Sequence, residues 1–166
     1  MYIRNEDTIY APATVPGTGA ISIIRISGPD ALSIADKVVS CRRLSISSAK
    51  GYTMKFGTIR DMSGEIVDEV IASVFRAPHS YTGEDSVELS CHASSYIVSA
   101  VMQLLSEAGA RAAEPGEFTQ RAFLNGKMDL SEAEAVMSLI SASGEEARAA
   151  TLNALDGSLS REIAEC

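Results

Sequence analysis

The sequence has no tryptophan and only 5% aromatic residues, so it offers little material for a platform on which single-stranded bases could stack. Cysteine is scarce as well. Cys41, Cys91 and Cys166 are widely spaced, odd in number and without a CxxC pair, which argues against a disulfide framework or a thiolate zinc site and fits a reducing cytosol. No apolar run approaches the roughly 20 residues that a membrane-spanning helix needs, and the start, Met1-Tyr-Ile-Arg-Asn-Glu-Asp7, lacks a hydrophobic signal region. A cytoplasmic protein without membrane contact is expected. Positive charge is also in deficit: 14 Lys and Arg face 22 Asp and Glu, a net charge of −8, which argues against coating nucleic acid by phosphate neutralisation alone. Residues 1–60 carry eight basic and four acidic side chains, whereas 61–166 carry six and eighteen, so the later part should repel polyanions.

What is present suffices for one well-buried core with an appendage, since 46% of the 166 residues are hydrophobic. The first part reads as strands and turns. Val15-Pro-Gly-Thr-Gly19 is a turn, Ala20 to Ile26 a β-rich run that stops at Ser27-Gly-Pro29, and Gly28 as N-cap with Pro29 at the first helical position predicts a helix through about Val39. Tyr52–Asp61 and Ile66–Arg76 read as two strands joined around Asp61-Met-Ser-Gly64, and Ser86–Cys91 as another. Ile97, Val101, Leu104, Leu105 and Ala108 then recur at helical spacing, with Ser94 and Ser95 before them and Gly109 as the stop. From Phe118 onward the pattern is helical. Ser131-Glu-Ala-Glu134 and Ser143-Gly-Glu-Glu146 each match the S-x-x-E capping box and predict two helix starts. The apolar stripe after Ser143 runs almost to Cys166 without later chain to cover it, so a fold-back, a partner or a missing segment is expected there.

Four places could carry chemistry. Alternation puts Arg25 on the same strand face as Ile21 and Ile23, either as an edge arginine whose head reaches water or as an anchor for an anion or carbonyl. Glu88 shares its face with Ser86 and Ser90. It is either the solvent side of a half-buried strand or an acceptor for a pair of parallel N–H donors. Lys127, in the turn Asn125-Gly-Lys-Met-Asp129, is a solvated loop lysine unless a site lies near, and a P-loop is excluded because Arg121 and Met128 break GxxxxGK[ST]. Gly17-Thr-Gly19 precedes a strand and not a helix, so it is no dinucleotide fingerprint. Cys91 and His92, as strand neighbours, point to opposite faces and cannot form a nucleophile–base pair, which leaves Cys91 a buried structural residue. His79 opens a loop, Ser80-Tyr-Thr-Gly-Glu-Asp85, that either lines a site or merely connects elements.

Asp7-Thr-Ile9, Pro16-Gly-Thr-Gly-Ala-Ile21, Arg25-Ile-Ser-Gly28, Ser80–Asp85 and the long block from Glu114 to Ala135 together resemble the N-terminal region of the MnmE or TrmE family of tRNA-modification GTPases. The resemblance covers essentially the whole chain. It implies an α+β fold similar to the folate-binding domain of aminomethyltransferases, a dimerising folate-binding domain over residues 1–117, and the start of a helical domain over 118–166. It also implies a homodimer, a flavin protein partner called MnmG or GidA, and tRNA whose wobble uridine receives an aminomethyl-type group at C5. Arg25, Glu88 and Lys127 match the positions that hold the family's cofactor, a 5-formyl- or 5,10-methylene-tetrahydrofolate, while no catalytic or metal-binding residue is assigned. GTP, Mg and K belong to a GTPase domain outside these residues, so activity of the chain alone is left open. A stand-alone one-carbon transferase and a ligand-free dimerisation scaffold are the alternatives. Where the family reads Cys-His-Gly-Gly-Pro, this chain has Cys91-His-Ala-Ser-Ser95.

Overall fold

A computed structural model describes residues 6–141. The chain divides into two units, Met1–Glu114 and Pro115–Cys166. The first is built on a seven-stranded sheet: β1 (Ile9–Pro12), β2 (Ile21–Ser27), β3 (Val39–Cys41), β4 (Thr53–Arg60), β5 (Ile66–Phe75), β6 (Ser86–His92) and β7 (Arg111–Ala112), in the order β3-β4-β5-β6-β2-β1-β7. All neighbours are antiparallel except β1 and β7, so the sheet is mixed. Two helices, α1 (Ala31–Val38) and α2 (Ser95–Glu107), belong to this unit, and the class is α+β as the sequence predicts.

The strand periodicity decides which side the helices cover. Ile24 and Ile26 of β2, Val70, Ala72 and Val74 of β5, and Val87 and Leu89 of β6 are fully buried or nearly so and form one core with Ile34 of α1 and Val101 and Leu105 of α2. The alternate residues, Arg25 and Glu88 among them, occupy the opposite face. Within this unit α1 and α2 both contribute to the core on the first face.

The β4–β5 hairpin forms as predicted, with Asp61 and Gly64 closing its turn. The α1 start differs. Gly28 has φ of +136°, and a Cβ there would meet the Asp7 carbonyl oxygen and the Thr8 Cα at 2.7 Å, so this glycine permits a close passage of two chain segments and is not a cap. Thr8 Oγ1 instead accepts the Asp30 N–H at 2.9 Å, Asp30 is the N-cap, and the helix opens at Ala31 and not at Pro29.

The second unit holds α3 (Glu117–Leu124) and α4 (Leu130–Ser141). Here too the predicted cap shifts. Asp129 Oδ1 accepts the Glu132 N–H at 2.8 Å while Glu132 Oε2 accepts the Asp129 N–H at 2.7 Å, a reciprocal capping box two residues before the one predicted at Ser131. Aspartate is an equally good N-cap, and only position relative to the first helical turn distinguishes the two. The helix start predicted at Ser143 lies outside the described residues, as does the stripe that follows it.

Candidate functional site

The antiparallel register of β2 and β6 sets Arg25 directly opposite Glu88. Their side chains meet: Arg25 Nε donates to Glu88 Oε1 at 2.9 Å, and Nη2 lies 2.8 Å from the same oxygen. Two residues whose relation the spacing left open thus form one pair. Both are about one quarter exposed, so the pair is neither a solvated surface bridge nor a fully desolvated one. Among the described residues Glu88 Oε2 accepts no hydrogen bond, which leaves that oxygen and its lone pairs available to a donor from outside.

A third side chain completes the arrangement. The Tyr81 ring lies over the Arg25 guanidinium, 5.0 Å from ring centroid to Cζ, within the range of a cation–π contact. Tyr81 belongs to the loop between β5 and β6, which buried hydroxyls fasten. Thr82, fully buried, shares a 2.6 Å hydrogen bond with Ser27 Oγ, and Ser27 Oγ lies 2.7 Å from Glu84 Oε2. Ser80 Oγ donates to the Glu84 carbonyl, and Gly83 takes the positive φ of +79° that the tight turn demands. At the base of the loop the Asp85 carboxylate accepts the Ala77 N–H and pairs with Arg76. The sequence marks Ser80–Asp85 as a loop that either lines a site or connects elements; the structure sets Tyr81 against Arg25.

Strand alternation also predicts the separation of Cys91 from His92, and the structure has it: Cys91 is buried and His92 exposed. Burial, reinforced by nearby Asp68, pushes the Cys91 thiol up from its ordinary range, which makes it a poor nucleophile. His92 has a partner the sequence did not reveal. Asp68, on the strand beyond the end of the β5–β6 ladder, accepts the His92 N–H at 2.8 Å and meets its Nδ1 at 2.7 Å. Ala93, Ser94 and Ser95, which stand where the family reads Gly-Gly-Pro, all lie outside the positive-φ region, and Ser94 caps α2 with φ of −108°. No glycine is needed there.

Lys127 belongs to the second unit. It is exposed, in the turn between α3 and α4, where Gly126 takes φ of +68° and the Lys127 N–H bonds the Ala122 carbonyl at 2.9 Å. The loop placement follows the sequence reading.

Residues 8–127 match the family model described as the N-terminus of GTP-binding protein TrmE. The chain belongs to this family. Arg25, Glu88 and Lys127 all fall within the TrmE N-terminal match. Among curated relatives, a tRNA modification GTPase MnmE of Parabacteroides distasonis is 50% identical over 160 residues, covering 95% of this chain and 35% of that protein. The proteins of the same name in Bacteroides thetaiotaomicron and Moorella thermoacetica are 52% and 51% identical, over 96% of this chain and 34% and 35% of theirs. The chain thus spans about a third of the length of these relatives. Among the described residues no helix is long and apolar enough to cross a membrane.

Proposed function

We propose that this chain is the tetrahydrofolate-binding, dimerising N-terminal part of a cytoplasmic tRNA-modification GTPase. The observation that carries the reading is the Arg25–Glu88 pair, a partly exposed cation and carboxylate held on a sheet face that neither α1 nor α2 covers. A reduced folate offers adjacent N–H donors on its pterin edge, ring carbonyls, and a glutamate tail with carboxylates. The donor set fits. Glu88 has an acceptor oxygen to spare for the pterin N–H groups, and Arg25 supplies a planar cation for a carbonyl or carboxylate. Lys127 is proposed as a further cofactor-binding residue, a cation suited to a carbonyl or carboxylate. When bound, the folate supplies the one-carbon unit; these residues bind and orient it.

The relatives' names speak of tRNA modification and GTP hydrolysis. The present sequence contains no GxxxxGK[ST], so GTP chemistry is not assigned to its 166 residues. Docking of tRNA and of the flavin protein partner would then involve the whole assembly, in keeping with the acidic balance of residues 61–166.

Calorimetric titration of the chain with 5-formyltetrahydrofolate tests the proposal. Glu88→Ala should weaken binding about tenfold to 150-fold, the loss of a charge-assisted contact worth roughly 1.5 to 3 kcal/mol. Thermal melting should change little, because a partly exposed ion pair contributes on the order of 0 to 1 kcal/mol to folding. Unchanged affinity in a folded Glu88→Ala variant would sink the assignment.

A further inference from the structure

We infer that the β3–β4 edge of the sheet is a docking surface for the phosphate backbone of tRNA, with Arg42, Arg43, Lys50 and Lys55 as its cations. The inference rests on the tRNA-modification reading above and gives that partner a place on this chain.

Three observations lead to it. Between Asp36 and Asp61 the sequence has no acidic residue, yet it has the cations Lys37, Arg42, Arg43, Lys50, Lys55 and Arg60. This stretch supplies both β3 and β4, and β3 is the outermost strand, so charge of one sign collects at one edge of a chain that is acidic as a whole. The fold occupies the other cations of the first unit. Arg25 meets Glu88, Arg76 meets Asp85 and Arg111 meets Asp7, while Lys37 and Arg60 donate to the carbonyls of Ala108 and Gly64. Among the described residues no carboxylate pairs with Arg42, Arg43, Lys50 or Lys55, of which the first three are exposed and Lys55 is half-buried. The segment that displays them is also fixed. Ile46 and Ala49 are buried in the core, the Asp36 carboxylate accepts the N–H groups of Ile46 and Ser47, and Arg76 donates to the carbonyls of Ser47 and Ala49. Arg42 and Arg43 leave the sheet where the β3–β4 ladder ends at Cys41 and Gly57, two residues from Lys55. Cations held near one another without carboxylate partners repel, and a polyphosphate relieves that repulsion while releasing its own counterions. Contacts to phosphate position a nucleic acid without reading its sequence.

Binding of an unmodified tRNA transcript to the 166-residue chain, followed by fluorescence anisotropy between about 50 and 200 mM salt, tests the assignment. Log affinity of the native chain should fall linearly with log salt. The double variant Arg42→Gln with Arg43→Gln, and separately Lys50→Gln with Lys55→Gln, should each lower the magnitude of that slope by about 1.4 to 1.8 and weaken binding roughly tenfold or more at the lowest salt. Arg111→Gln, at the far edge of the sheet and paired with Asp7, should leave the slope unchanged. Circular dichroism and the affinity for 5-formyltetrahydrofolate should stay native in both double variants, since none of the four side chains belongs to the core or to the Arg25–Glu88 pair. Native tRNA binding in both double variants, an equal loss in Arg111→Gln, or no tRNA binding by the native chain would overturn the inference and leave the folate reading intact. Equal affinity of the native chain for tRNA and for polyglutamate would overturn it as well, by assigning the edge to acidic proteins. Absence of folate binding by a chain that still binds tRNA would instead overturn the folate reading alone.

Discussion

At the scale of single residues, Arg25 and Glu88 show how far sequence goes. Alternation groups Arg25 with Ile21 and Ile23 and Glu88 with Ser86 and Ser90 but leaves the role of each open, and the structure puts both on the face opposite the core. Alternation cannot give their pairing. That depends on β2 and β6 being neighbours and on a register in which 25 meets 88, and these follow from long-range packing that no local pattern encodes. Tyr81 was hidden for the same reason, since its contact crosses from a loop to a strand 56 positions earlier. Cys91 is easier: a cysteine that alternates with Val87 and Leu89 on one strand face is read as buried, and it is 3% exposed. Its thiol is raised by desolvation, whereas Cys41, also raised by burial first, remains partly accessible. Thiolate, not thiol, is the species that alkylates. With iodoacetamide at pH 8, peptide mass mapping should find Cys41 labelled well before Cys91, and equal labelling rates in the folded chain would contradict the burial argument.

At the scale of elements, turn chemistry was the most legible signal and short strands the least. The β4–β5 hairpin announces itself because Asp61 and Gly64 supply what a tight connection needs. β1, β3 and β7, by contrast, are two to four residues long, and β7 exists only because Arg111 and Ala112 lie beside Ile9 and Tyr10. No period can be read over two residues. The starts of α1 and α4 each differ by two positions from those the sequence suggests, since several residues near each start could cap and only the turn geometry selects one. The hairpin turn also gives a pH dependence whose sign is determined. Asp61 accepts the Ser63 hydroxyl and the N–H groups of Ser63 and Glu65, and the hydroxyl contact above all holds its carboxyl below the usual carboxylate range. A group with a lowered folded-state value contributes stability that is present above its unfolded value, about 3.9, and is lost as pH falls through the folded one. The advantage of the native chain over Asp61→Asn in melting temperature should therefore be present at pH 7 and shrink as the pH drops below about 4. A gap that stays constant from pH 7 to pH 2.5 would show that the charge of Asp61 is not involved.

At the scale of the whole molecule, the sheet face opposite the core is the feature with the largest consequence. On the face away from α1 and α2, register sets Phe56, Ile71, Ser90 and Ile23 in one row across four strands, directly beside the row of Met54, Ser73, Glu88 and Arg25. Met54 is 73% exposed, Ile21 64%, Phe56 57% and Ile71 43%, a concentration of large apolar side chains that exceeds the scattered exposure usual for a monomer's surface. A second copy of the chain is the occupant expected under the dimerising role proposed above, and a specific interface of roughly 1,200 to 2,000 Å² is of the size such a face can provide. The polar row beside it would then lie at the edge of the interface, where a dimer mate can reach the Arg25–Glu88 site. Light scattering at micromolar concentration should give twice the 17.5 kDa chain mass. Placing a carboxylate at the centre of the row, in Phe56→Glu or Ile71→Asp, should drive the chain to monomer, because an unpaired charge buried at an interface costs several kcal/mol. Circular dichroism should stay native, since neither side chain belongs to the core. A native chain that scatters as a monomer would remove the dimer, and a dimer indifferent to both substitutions would move the interface off this face.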